Sequence, residues 1–204
     1  QKTTMKKSAL SLSEVMTIVI LFHKSGFRFF KYFYCHMIIP FWKSAFPKLL
    51  SYNRFIEIMP RCLQALSSFF HQVKGEDTGI CIIDSTKLVV CHNLRIKRHR
   101  VFKGLAGRGK SSTGWFYGFK VHIVINNLGE IINLKITSGS VHDVAVLESL
   151  TQELKGILLG DKGYLSKAKT EALAARGLRL LTPSRKNMKN KPIQTEEEKQ
   201  LLCR

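Results

Sequence analysis

Between Ser11 and Gly26 the apolar residues Val15, Ile18, Val19 and Phe22 recur at the spacing of one helical face. Ser11 with Glu14 forms a capping box ahead of them and Gly26 follows, so a helix is predicted there. From Phe27 to Val73 the pattern stays helical and becomes rich in aromatic residues, interrupted by Pro40, Pro47 and Pro60, which predicts an all-helical region whose rings pack as a core. Lys74 to Gly79 is a polar, glycine-bearing break, and beyond it the pattern turns strand-like. The expected organisation is therefore a helical domain over 1–78 and a second domain over 79–204.

In that second domain Ile80–Ile83 reads as a short buried strand ending abruptly at Asp84-Ser85-Thr86. Phe119, Val121, Ile123 and Ile125 alternate with Lys120, His122 and Val124, and after Asn126–Gly129 the alternation resumes with Ile132, Leu134 and Ile136, the pattern of a hairpin. A helix is expected from His142 to Leu154, then a second buried strand at Ile157–Leu159 leading to Asp161. Ser166–Arg176 reads as an alanine-rich helix closed by Gly177, and Leu178–Leu181 as a further strand. Pro183 to Gln194 is a basic connector, and Thr195 with Glu198 forms a second capping box that opens a last helix. The order implies a mixed α/β fold, with an antiparallel hairpin on a partly parallel sheet.

Composition adds a partner. The 204 residues carry 33 Lys+Arg against 14 Asp+Glu, a formal charge of +19, while 45% hydrophobic and 23% charged residues are ordinary globular values. The excess charge is a shortage of acids in a folding chain, not a basic tail, and it points to a polyanion such as DNA. An acidic small-molecule binder and a secreted disulfide scaffold are disfavoured. The five cysteines form no C-x-x-C pair and read as reduced thiols of a cytoplasmic protein. Val15–Phe22, the longest apolar run, falls well short of the roughly 20 residues of a membrane span. The chain opens at Gln1, with no signal-peptide pattern after it.

Two acids stand out for chemistry. Asp84 and Asp161 each follow a short apolar strand, and carboxylates meeting at the ends of parallel strands would repel unless cations lay between them. Mg²⁺ or Mn²⁺ prefers such oxygen ligands, and two such ions serve phosphoryl transfer. The nine cations Lys87, Arg95, Lys97, Arg98, Arg100, Lys103, Arg108, Lys110 and Lys120 lie between Asp84 and Glu130 without one acid among them, the composition of a phosphate-contacting surface. Arg185, Lys186, Lys189 and Lys191 make a second cluster. His122 and His142 are candidates for orienting a phosphate, and Asp143 suits the start of a helix. Gly104–Ser111 fits the G-x-x-x-x-G-K-[ST] phosphate loop of an ATP-binding protein, yet it lacks the preceding apolar strand and the following helix that the motif requires; its glycines read instead as a flexible loop. Cys91, His92 and His99 lack a fourth zinc ligand.

Taken in order, Ile82-Ile-Asp-Ser-Thr86, Lys103-Gly104 with Arg108-Gly-Lys-Ser-Ser112, Gly114-Trp-Phe-Tyr-Gly-Phe-Lys-Val-His122, Ser138-Gly-Ser-Val-His-Asp143 and Leu159-Gly-Asp-Lys-Gly-Tyr164 resemble the transposases of bacterial insertion sequences, the insertion-sequence 982 group above all. The resemblance implies a ribonuclease-H-like second domain, preceded by a helical domain that helps bind the element's terminal inverted repeats. It further implies Asp84 and Asp161 as the first two acids of an Asp-Asp-Glu triad holding two Mg²⁺ or Mn²⁺ ions, DNA as substrate, a homo-oligomer on DNA, and a place with the bacterial nucleoid. The family's third acid lies on a C-terminal helix further along than Arg204. Glu196, Glu197 and Glu198 suit the first turn of the last helix instead, so the expectation is a shortened transposase, with DNA binding alone as the alternative activity.

Overall fold

The computed structural model describes residues 10–183 together with Thr195 and Leu201. Most of the basic connector, with Arg185 and Lys186, and the glutamates after Thr195 lie outside the described residues. The chain divides into two compact units, Gln1–Val73 and Lys74–Arg204.

In the first unit the Ser11 capping box forms: Glu14 N–H donates to Ser11 Oγ at 3.2 Å, and Ser11 N–H donates to the Glu14 carboxylate at 2.7 Å. It opens α1 (Leu12–Lys24), whose buried face carries Val15 and Ile18. Helix α2 (Phe30–Phe33) runs through a π-helical turn at Tyr34–Ile38 into α3 (Ile39–Phe41). Pro40 lies near the end of this continuous helical run, just after the π-helical turn, and does not break it there. Next come α4 (Tyr52–Ile58) and α5 (Leu63–Val73), joined by a 3₁₀ turn that contains Pro60. Phe33, Tyr34, Ile38 and Phe55 are fully buried, and the Phe30 ring stacks on both Tyr34 and Phe55. The Tyr34 hydroxyl donates to the Leu50 carbonyl at 2.8 Å, which satisfies its polar end inside this aromatic core.

The second unit is built on a six-stranded mixed sheet of β1 (Ile80–Cys91), β2 (Gly107–Ser111), β3 (Gly114–Asn126), β4 (Ile131–Ser138), β5 (Gly156–Gly160) and β6 (Leu178–Leu181). β3 pairs antiparallel with β1 on one edge, and with β4 and then β2 along the other. β1, β5 and β6 are parallel. The crossovers carry α6 (Asp143–Leu150) and α7 (Lys167–Ala175), which place Val146, Leu147, Leu150 and Leu173 against Cys81, Ile83, Val124, Leu158 and Leu180 of the sheet. A mixed α/β fold with helices flanking the sheet is therefore what the chain adopts.

Four local expectations change. β1 does not stop at Asp84, because the ladder from Asp84↔Ile123 to Cys91↔Tyr117 keeps its polar second half extended. Helix α6 ends at Leu150, where Thr151 Oγ1 donates to the Leu147 carbonyl at 2.7 Å, although Leu154 still packs in the core. On β3 the more buried face carries Lys120, His122 and Val124, not Phe119, Val121 and Ile123. The segment around Gly107 and Gly109 is strand β2, not a flexible loop: a Cβ on Gly107 would lie 2.1 Å from Ser138 Oγ, and one on Gly109 would lie 2.2 Å from the Gly139 carbonyl. These glycines permit close backbone approach.

Candidate active site

β1 and β5 lie side by side from Ile80↔Ile157 to Ile83↔Gly160, and there β5 ends while β1 continues with β3 alone. The two residues that follow the last pair are Asp84 and Asp161. Both are exposed, and both line a cleft of about 300 Å³ with Asp143, Lys87, Lys110 and Lys120. The Asp84 carboxylate accepts the Ser85 N–H at 2.7 Å. Among the described residues neither Asp84 nor Asp161 belongs to an ion pair.

Asp143 is different. It is the first residue of α6 behind an N-cap His142 that makes no side-chain cap bond, and its own carboxylate turns to the sheet. Lys120 Nζ donates to Asp143 Oδ1 at 3.1 Å, as does Ser85 Oγ at the same distance, and Lys120 also donates to the Val141 carbonyl at 2.9 Å. The negative charge of Asp143 is thus met by a lysine that keeps only 13% of its side chain exposed. Tyr164, just after Asp161, is buried among these acids. Burial, and then the negative charges of Asp143, Asp84 and Asp161, hold its phenol well above the usual range, so it stays protonated. Its hydroxyl has Ser85 as a near polar neighbour but no hydrogen bond of full geometry.

The other candidates separate by place. Lys87 and Lys110 line the cleft, with Lys87 Nζ bonded to Thr113 Oγ1 at its mouth. Arg95, Lys97 and Arg98 are exposed on a 3₁₀ turn spanning Asn93–Arg98, Arg100 and Lys103 on the turns after it, and Arg108 on β2. His142 is exposed. None of these seven residues is part of the cleft lining. His122 is a correction, since it is fully buried and cannot reach a phosphate. Its Nε2 shares a hydrogen bond with Thr137 Oγ1 at 2.9 Å, and its Nδ1 lies 3.8 Å from Asp143 Oδ1. Burial outweighs that carboxylate and pushes the imidazole below its ordinary value, so it is neutral near pH 7. Arg185 and Lys186 lie outside the described residues.

The phosphate-loop alternative fails on geometry. Gly107–Ser111 pairs antiparallel with Gly114–Gly118, so a strand, not a helix N-terminus, follows the motif. Among the described residues no three His, Cys, Asp or Glu side chains gather as a metal-holding group. From the sequence, Tyr164 and the Ser111–Thr113 turn are not placed at this site, and Asp143 reads only as a helix-end residue. The run from Ser85 to Lys87 opposite Lys120 to His122 carried the available signal, but only once the register was known.

A mixed sheet with two carboxylates that have no ion-pair partner among the described residues, at the end of a parallel strand pair and inside a basic cleft, defines a candidate phosphoryl-transfer domain. Residues 74–204 match the family described as "Transposase DDE domain", and the chain belongs to that family. The fold is shared with a solved structure of piggyBac transposase, a cryo-EM synaptic complex with hairpin DNA, at a TM-score of 0.53 and 12% sequence identity. That likeness covers 94% of this chain and 46% of the other, so this chain spans about half of that protein's length. No curated protein matches the chain. Among the described residues no helix is long and apolar enough to cross a membrane.

Proposed function

We propose that the chain acts as the DNA transposase of a bacterial insertion sequence of the 982 group, cutting phosphodiesters at the element's ends and joining the freed 3′-hydroxyl to target DNA. The observation that carries this reading is the shared cleft of Asp84 and Asp161, each without an ion-pair partner among the described residues, beside Lys87 and Lys110. The sheet, antiparallel from β4 through β3 to β1 and parallel from β1 through β5 to β6, supports a ribonuclease-H-like domain.

Carboxylate oxygens free of ion pairs, with no thiol or imidazole among the described residues that line the cleft, suit Mg²⁺ or Mn²⁺, and Asp84 and Asp161 are the residues that would hold the ions. Bound there, a pair of divalent ions would stabilise the charge that builds on a phosphodiester during in-line displacement. The protein's own groups do the rest. Lys87, Lys110 and the hydroxyls of Ser111 to Thr113 would contact the phosphates beside the scissile bond. Lys120 neutralises Asp143, so the third carboxylate in the cleft adds little repulsion to incoming DNA. The buried Tyr164 also lines the cleft, as a phenol that stays protonated.

The exposed cations Arg95, Lys97, Arg98, Arg100, Lys103 and Arg108 would extend the grip along the duplex, and the helical first unit would read the terminal repeats as part of a homo-oligomer at the nucleoid. The test is a nicking assay with Mg²⁺ or Mn²⁺ on duplex DNA carrying the element's ends. Asp84→Asn and Asp161→Asn should each lower cleavage at least about a hundredfold while duplex binding persists. Cleavage that survives either substitution removes that residue from the mechanism. Wild-type chain that binds the ends without cutting them would support DNA binding alone.

A further inference from the structure

Trp115 is one of two tryptophans in the chain, and it opens β3 with 56% of its surface exposed. Exposure alone would be ordinary for a single surface residue, and what sets this ring apart is its neighbours. Its surroundings are charged. The β2–β3 register sets Lys110 opposite Trp115, and Arg108, two residues before Lys110, emerges on the same face. The Arg108 guanidinium carbon lies 5.6 Å from the ring centroid and Lys110 Nζ lies 5.9 Å from it. Lys110 is also part of the lining of the Asp84/Asp161 cleft, which joins the ring to the site by one side chain. From the other side Asn93 Nδ2 donates to the Trp115 carbonyl at 2.8 Å, fixing the start of β3 to the turn that carries Arg95, Lys97 and Arg98. The ring is therefore held on a paired strand, not a free loop, with more than half of its surface open and with Arg108 and Lys110 lying over it from the β2 side.

We infer that Trp115, framed by Arg108 and Lys110, is a stacking platform for an unpaired nucleobase of the DNA that occupies the cleft. A flat π-surface accepts any base on the part that the cations leave open, and the two cations beside it meet the neighbouring phosphates, the combination found where single strands are held without sequence readout. Duplex DNA keeps its bases stacked on one another, so the platform selects DNA with unpaired positions next to the cleavage site. The inference rests on the transposase reading, because that reading supplies DNA as the ligand. It goes further in naming the structural state of the DNA and the residue that recognises it.

The experiment compares full-length wild type, Trp115→Phe and Trp115→Ala with three probes of equal length: blunt duplex, duplex with a short unpaired overhang, and single strand. Binding is followed by anisotropy of labelled DNA, and stacking by tryptophan emission, where the difference between wild type and Trp115→Phe isolates Trp115 from Trp42. The overhang and the single strand should quench the Trp115 emission, and blunt duplex should leave it nearly unchanged. Trp115→Ala should weaken overhang binding about tenfold with little effect on blunt duplex, and Trp115→Phe should restore most of the loss. Equal quenching by blunt duplex, or equal loss on all three probes in Trp115→Ala, would overturn the platform while leaving the transposase reading intact. Absence of binding to every probe would overturn both.

Discussion

Three carboxylates share the cleft, and what distinguishes them is their partners. Asp143 is tied to Lys120 and Ser85, whereas Asp84 and Asp161 have no cation within ion-pair distance among the described residues. Removing the lysine should expose this difference. Lys120→Ala leaves a partly buried Asp143 without its counter-charge and should lower stability by about 1–3 kcal/mol in urea unfolding, with the double variant Lys120→Met, Asp143→Leu recovering part of the loss.

His122 gives the same region a pH dependence. Its neighbours are Asp143 from α6, Lys120 on its own strand and Lys135 across on β4; burial, helped by the two lysines, outweighs Asp143 and keeps it neutral. Because the folded-state pKa lies below the ordinary 6.5, the unfolded chain takes up the proton first as pH falls. Stability from this group is complete above that value and is lost as pH drops through the folded pKa, at no more than about 1.4 kcal/mol per pH unit. Chemical denaturation of His122→Gln between pH 7.5 and 5 should lack that component of the slope; an unchanged slope would place its origin elsewhere.

At the scale of elements, the hairpin of β2 and β3 shapes the cleft mouth, and it depends on residues with no side chain. Gly109 would drive a Cβ into the Gly139 carbonyl and the Phe116 ring, at 2.2 and 2.7 Å. Gly109→Ala should therefore loosen β2 and cost about 1–3 kcal/mol, seen as a lower thermal midpoint and earlier proteolysis near Arg108. Ser112→Ala, on the exposed turn, should change neither. The same strands show how far a sequence carries an interpretation. Alternation over Phe119–Ile125 and Ile132–Ile136 marks the β3–β4 hairpin, and the acid after Leu159-Gly160 marks the end of β5, because both signals are local. Which face of β3 is buried is not local. Lys120 and His122 look solvent-facing by polarity and turn inward because Asp143 and Thr137, from other elements, satisfy them. β1 continues past Asp84 for a similar reason: Ser85, Thr86 and Lys87 would suit a turn, but each has a ladder partner on β3. Asp143 stayed hidden because an acid at a helix start has a sufficient local explanation in the helix dipole.

At the scale of the whole molecule, the proposed function takes its partner from the charge of +19 and its chemistry from the cleft, and the two can be separated. Duplex affinity should fall steeply with salt, with a logarithmic slope that tracks the number of phosphates contacted. Substituting Arg95, Lys97 and Arg98 together should reduce that slope by about 2–3 without affecting metal binding, since those side chains lie off the cleft. A salt-independent affinity would mean that the basic interval does not contact the backbone.

Asp84 and Asp161 are proposed to form one cation site, and Mn²⁺ titration of the full chain, followed by electron paramagnetic resonance in the absence of DNA, tests this without relying on turnover. Wild type should bind the ion, and Asp84→Asn and Asp161→Asn should each lose most of that binding while keeping the wild-type fold by circular dichroism. Mn²⁺ binding that survives either single substitution unchanged would show that the two aspartates do not act together.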